Sequence, residues 1–290
     1  MREVLNWAGN GAALIGILFV YLRLKDYMGS HVLSNITSEV WVYCAILAGV
    51  YGIANVLLAL AWRQLLLQAE IKTTYKWSIR TYGISQLAKY VPGNIFHIAG
   101  RQSKGMAAGI SARVLARSSL LELGSIAFAG LLFSWLVVPL FVKSVPIVVC
   151  AALLTFSFWI ITALLKRTNG KHLSTCFRLH MVFLLISGAI FSILLDLIIK
   201  GENFYPQTWL LIMSSYVIAW LAGLITPGAP AGVGVREWIL LFLLKGYITE
   251  TDLIMVILLG RAVTVVGDLL FFCVSFLIPI SRGQHKNEYN

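Results

Sequence analysis

Residues 81–100, TYGISQLAKYVPGNIFHIAG, are apolar enough to enter a membrane and too interrupted to cross it as one helix. At their centre, Tyr90-Val91-Pro92-Gly93-Asn94 joins a residue with no amide donor to a Gly-Asn pair that favours a turn. Lys and Arg number four in 63–80 and four in 101–117, and a basic excess marks the cytoplasmic side of a membrane protein. If both flanks are cytoplasmic, the twenty residues between them must go in and come back as a re-entrant segment. Irregular backbone at membrane depth survives only where protein or a watery cavity surrounds it. The break therefore predicts a cavity.

The rest of the chain supports a bilayer setting. Of 290 residues, 59% are hydrophobic and only 12% charged, well outside the range of soluble domains. A crossing needs about 20 mostly apolar residues. Seven windows qualify: Val4 to Leu22, Val40 to Trp62, Ser118 to Phe141, Ile147 to Leu165, Met181 to Ile199, Thr208 to Ile225 and Leu253 to Ile280. The first ends in Phe19-Val20-Tyr21-Leu22-Arg23, with no small-residue cleavage site, and reads as a retained anchor. The expected fold is all-α: a polytopic integral membrane protein of seven to eight transmembrane helices with re-entrant or broken segments, in one transmembrane domain over 1–290. The distribution of the +11 net charge orders the chain with a cytoplasmic N-terminus. Arg63, Lys72, Lys76 and Arg80 interleave with Trp62, Tyr75 and Trp77, a pattern that suits anionic headgroups at the membrane surface rather than nucleic acid. The four cysteines are scattered, with no spacing for a disulfide frame or a zinc site, and no cofactor motif is visible.

A second break, Thr226-Pro227-Gly228-Ala229-Pro230-Ala231-Gly232-Val233-Gly234-Val235-Arg236-Glu237, ends the sixth window. Pro92 stands nine residues before Arg101 and Pro227 nine before Arg236, so Pro-Gly-x7-Arg occurs twice. Upstream, Tyr82, Ile84, Leu87 and Ala88 match Tyr216, Ile218, Leu221 and Ala222. These matches suggest an internal repeat, with halves at about 40–140 and 180–280. Paired interrupted segments in two halves point to a transporter-like site near mid-membrane. Four full windows separate the breaks, which places both on one side, whereas an inverted repeat needs an odd number. Either Trp238 to Thr249 and its counterpart thread differently, or the repeat is parallel.

Gln86-Leu87-Ala88-Lys89-Tyr90-Val91-Pro92-Gly93, followed by Arg101 and by Arg117 to Glu122, together with Pro227-Gly228 through Gly232-Val233-Gly234-Val235-Arg236-Glu237, resembles the transmembrane region of lysylphosphatidylglycerol synthases. It resembles equally the stand-alone flippase-like membrane proteins of that superfamily. The resemblance covers roughly 40–285. It implies re-entrant helices, the cytoplasmic membrane of a bacterium or archaeon, and movement of a phospholipid or lipid-linked sugar between leaflets. The usual Pro-Gly-Gly-x-Gly run is replaced by Pro227-Gly228-Ala229-Pro230-Ala231-Gly232, and no soluble aminoacyltransferase region follows Ile280, so lysyl transfer is not carried over.

Charge inside an apolar span is costly and marks candidate sites. Arg113 and Arg117, four apart, either hold an anion between them or lie in the headgroup layer as topology signals. Glu122 suits an arginine on another helix, as Asp268 suits Arg261. Arg261 and Asp268 share a helix face seven residues apart, each either ion-paired to a neighbouring helix or in contact with ligand. Arg101 and Arg236, with Glu237 beside the latter, follow the breaks, where guanidinium and free helix amides suit a phosphate. Alternatively each arginine caps carbonyls freed by the break. Pro92, Gly93, Pro227, Gly228, Gly232 and Gly234 are the hinge positions. His97 is either a packed residue or a proton relay.

The function expected is a lipid translocase that takes an anionic headgroup between the two breaks. The alternative is a non-transporting partner of a glycosyltransferase in envelope polysaccharide or glycolipid synthesis; the partners expected are membrane lipids with an anionic or lipid-linked phosphate, a glycosyltransferase, or further copies of this chain. An intramembrane enzyme would need a catalytic constellation. No His-Glu-x-x-His, aspartate cluster or nucleophile elbow is present in the sequence.

Overall fold

The computed structural model describes residues 37–91, 95–199, 205–226 and 230–279. The expected first span Val4 to Leu22 and the hinge residues Pro92, Gly93, Pro227 and Gly228 lie outside the described residues. Helices account for nearly all the rest: α1 Ser38–Gln68, α2 Tyr75–Gln86, α3 Phe96–Ala107, α4 Ala112–Leu132, α5 Ser134–Phe141, α6 Ile147–Thr168, α7 Gly170–Ile198, α8 Pro206–Ile225, α9 Val235–Leu243 and α10 Glu250–Leu277. Short 3₁₀ turns at Leu87–Tyr90 and Pro230–Gly232 stand beside the two breaks. Among the described residues, six helical stretches are long and apolar enough to cross a membrane: α1, α4 with α5, α6, α7, α8 and α10. The chain is an all-α polytopic membrane protein.

Local chemistry sets the helix ends. The Thr74, Ser111 and Thr249 side chains accept from the Trp77, Val114 and Asp252 amides, starting α2, α4 and α10. Gly170, at φ 81° and ψ 176°, turns the chain between α6 and α7, a backbone that an L side chain rarely adopts. The α7 helix begins 11 residues before the apolar window that predicted it, because Lys171 and Arg178 lie on exposed turns that hydropathy alone assigns to a loop.

Contacts fix the directions. The α1 and α10 helices run side by side in the same sense, with Gly267 against Ala48 and Gly52, and Asn55 beside Asp268. Arg80 of α2, the helix whose Trp77 and Tyr82 pack on Trp62 near the end of α1, donates to the Ile278 carbonyl at the end of α10. The α7 helix runs against α1, as His172 meets Gln64 and Phe183 meets Tyr51. The α2 and α3 helices pack on one another, and α3 lies on α4 with Gly105 at Leu115 and Arg101 at Glu122. Thus α2 leaves, and α3 returns to, the end of the bundle where α1 finishes. At twelve residues, or roughly 18 Å, each limb falls short of the ~30 Å hydrocarbon.

The second break is built the other way up. The α8 helix runs against α7, with Trp209 near Ser192 and Met213 near Gly188, so it starts at the end where α1 begins. After the turn, α9 folds back along α8, bringing Arg236 beside Gly223, and finishes near Phe141 at the end from which α8 set out. This corrects the parity expected from the sequence. The apolar window Thr208 to Ile225, a crossing between the breaks by hydropathy, is the first limb of the second hairpin. Only α4 with α5, α6 and α7 run the length of the bundle between the hairpins, an odd number. The hairpins therefore enter from opposite ends, and their turns meet: Leu87, Tyr90 and Ala231 pack in one buried cluster with Val265 of α10.

Candidate functional site

Around that junction lies a cavity of about 80 Å³, room for several waters, lined from both hairpins and from α1, α4, α7, α8 and α10. Its polar wall is built by three closed ion pairs and one open arginine.

Asp268, fully buried in the middle of α10, accepts from four donors. The Lys89 ammonium lies at 2.7 Å, the Tyr90 hydroxyl at 2.5 Å, the Asn55 amide at 3.0 Å and the Gln86 amide at 3.4 Å. An unpaired carboxylate so placed would cost several kcal/mol, and Lys89 removes most of that cost. Since Lys89 and Tyr90 belong to the turn beside the first break, this carboxylate ties the hairpin turn to α10.

Glu122 and Arg101 form the second pair, through both guanidinium nitrogens of the fork. Arg101 is 3% exposed and is enclosed by the rings of Trp62, 5.0 Å from its centroid, and Tyr82, 4.6 Å away. The Tyr82 hydroxyl donates to Glu122 at 2.9 Å. Bidentate pairing and ring stacking together hold α3 against α4.

Arg261 and Glu237 form the third pair, at 2.7 Å. Arg261 also donates to the carbonyls of Ala231 at 2.9 Å and Gly232 at 3.1 Å. Those carbonyls are presented by left-handed residues, Ala231 at φ 49° and Gly232 at φ 71°. For Ala231 that conformation costs roughly 1–2 kcal/mol. The other carboxylate oxygen of Glu237 accepts from the Gly234 amide at 2.6 Å, closing the first turn of α9.

Arg236 makes no ion pair among the described residues. Its Nε is buried without a hydrogen-bond partner, and its guanidinium lies 5.4 Å from the Trp220 ring. It fits there because Gly223 and Gly232 lack a Cβ: one built on either would stand 2.7 Å from the Arg236 Nε. Arg236 lines the central cavity and also a smaller one of about 20 Å³ beside Glu237, Ile257 and Thr264. The Arg101 Nε and the His97 Nδ1, on the other hairpin, are likewise buried and unpartnered in residues lining the central cavity.

Of the residues expected from the sequence, Arg101, Glu122, Arg236, Arg261 and Asp268 are gathered on one cavity, and Glu237 stands behind it. Gly232 and Gly234 are at the second turn, both left-handed. Arg113 and Arg117 are exposed on α4 near the end where it starts, outside the cavity lining, because their face of the helix points away from α3 and α7. Asp268 takes Lys89 rather than Arg261, since residues two turns apart on one helix are about 10.5 Å apart and reach across to other helices instead. Lys89, Tyr82, Gln86, Tyr90 and Asn55 escaped the sequence reading as site residues. A lysine three residues before the break and an asparagine inside the second apolar window were the available signals.

Among the described residues, no three His, Cys, Asp or Glu side chains are grouped to hold a metal ion. No protein-family model, curated protein or solved structure matches this chain.

Proposed function

We propose that the protein moves a lipid with an anionic headgroup between membrane leaflets, the headgroup passing through the cavity where the two hairpins meet. The observation that carries this reading is Arg236, a guanidinium on a mostly apolar cavity with no carboxylate within ion-pair distance among the described residues. A half-buried cation without a counter-ion is costly to hold, and an incoming anion would remove that cost. Arginine also suits phosphate, to which it donates two parallel hydrogen bonds.

Oppositely directed hairpins give a transporter its second requirement, an approach from each side to one site. Ile98, Leu123, Leu224 and Val233, apolar and half-buried, border the cavity and could lie against lipid tails while the headgroup is inside. Lys72, Lys76, Arg80, Arg113, Arg117, Lys166, Arg167 and Lys171 gather at the end where α1 finishes, against Lys143 and Lys245 at the other. This supports a cytoplasmic placement of the first hairpin's ends.

The test is movement of labelled anionic phospholipid in vesicles containing purified protein. Wild type should equilibrate the label across the bilayer faster than protein-free vesicles, and Arg236→Ala should lower the rate about 10- to 100-fold. Equal rates for wild type, variant and empty vesicles would remove the translocase reading.

A further inference from the structure

The balance of charge at the cavity says more than its sign. Lys89, Arg101 and Arg261 are each held by a carboxylate: Asp268, Glu122 and Glu237. Among the described residues, four cations therefore meet three carboxylates at or just behind the cavity, and the surplus is Arg236. The unpartnered nitrogens on the cavity residues are the Nε of Arg236, the Nε of Arg101 and the Nδ1 of His97.

From this arrangement we infer that the site is selective for valence: it takes a phosphodiester monoanion and disfavours a dianionic phosphomonoester or diphosphate. The inference rests on the lipid-headgroup reading above and narrows its substrate class. One negative charge neutralises Arg236. A second would have to remain uncompensated in a confined, mostly apolar space, or pull Lys89, Arg101 or Arg261 from its carboxylate and strand that carboxylate instead. The non-bridging oxygens of a phosphodiester can accept from the Arg236 guanidinium. His97, in its Nδ1–H tautomer, can add a hydrogen bond without adding charge. Arg236 and His97 line the cavity from different hairpins, so an anion held by both would bridge the two halves of the molecule.

The experiment is equilibrium binding, measured separately from transport. Purified protein is offered labelled phosphatidylglycerol, phosphatidic acid and phosphatidylcholine at about pH 9.5, high enough for a phosphomonoester to be dianionic even where a negative lipid surface raises its second pKa. Phosphatidylglycerol is expected to bind tighter than phosphatidic acid by about 10-fold or more, and tighter than the zwitterion by a similar factor. A general basic surface would rank phosphatidic acid first. That order, or no binding of any anionic lipid, overturns the inference. Arg236→Gln strands no carboxylate, and it should erase the preference for phosphatidylglycerol over phosphatidylcholine. Arg236→Lys should keep the order with weaker binding, since it retains charge but loses the planar fork. A preference unchanged in Arg236→Gln also overturns it. Glycerophosphoglycerol should displace the bound lipid better than inorganic phosphate does, and the reverse order contradicts valence selection and points to free phosphate as the ligand. Binding in the expected order without movement between leaflets would leave this inference standing and remove the translocase.

Discussion

The two hairpins carry the same break and the same arginine nine residues beyond its proline, yet the arginines have opposite fates. In the first hairpin, Arg101 is clasped by Glu122 of the next span and boxed by Trp62 and Tyr82. In the second, the clasp is made by the neighbouring position with its charges exchanged: Glu237 reaches Arg261 of the next span, and Arg236 is left over. Each half thus locks its short returning helix to the span that follows it. Only one half keeps a cation for something else. A shared motif here defines a shared place in the fold, and the charge on the next span decides whether its arginine is structural or available.

The sharpest way to break this comparison is through stability. Glu122→Ala would strand Arg101 in a buried site and should cost about 3–5 kcal/mol. Arg236→Ala strands no carboxylate among the described residues and should change stability by less than about 1 kcal/mol. Thermal unfolding of the two purified variants in the same detergent measures the contrast, and equal losses would mean that the two arginines do the same job.

Ligand capture should give the reverse order at the second arginine. With Arg236 replaced by alanine, loss of a charge-assisted hydrogen bond should weaken binding of an anionic lipid by roughly 1.5–3 kcal/mol. Binding to purified protein checks this, and an unchanged affinity would leave Arg236 without the role given to it. A smaller effect is expected at its seat. Gly232→Ala places a Cβ at a left-handed backbone position and within 2.7 Å of both the Gly223 Cα and the Arg236 Nε, so it should cost about 1–3 kcal/mol of stability and weaken anion binding as well. Wild-type behaviour in both assays would show that the second turn is not as tight as drawn.

Much of this was legible in the chain, and the reasons it was legible are physical. The breaks announce themselves because Pro92 and Pro227 cannot donate in an apolar run, and the arginines because charge there is expensive. Both arginines do line the cavity. The threading was less legible. Thr208 to Ile225 has the length and apolarity of a crossing, and hydropathy cannot say that the next nine helical residues turn back along it. Pairing was least legible of all. The side chains around Asp268 come from α1, from the end of α2 and from the turn at Tyr90, and no linear spacing connects Asn55, Gln86 and Lys89 to a residue some 180 to 210 positions later. Four-residue spacing puts Arg113 and Arg117 on one face, which suits either an anion or the headgroup layer, and that face is exposed and outside the cavity lining.

The central claim is that the two hairpins enter from opposite sides and meet, and side-specific thiol labelling tests it most directly. In a background with Cys44, Cys150, Cys176 and Cys273 replaced, single cysteines at Lys76 and Arg113 flank the first hairpin, and at Tyr205 and Lys245 the second, all exposed. A membrane-impermeant reagent applied to sealed vesicles of each orientation should modify positions 76 and 113 from one side and positions 205 and 245 from the other. Modification of 205 or 245 from the same side as 76 would contradict the inverted arrangement, and with it the single site reached from both leaflets.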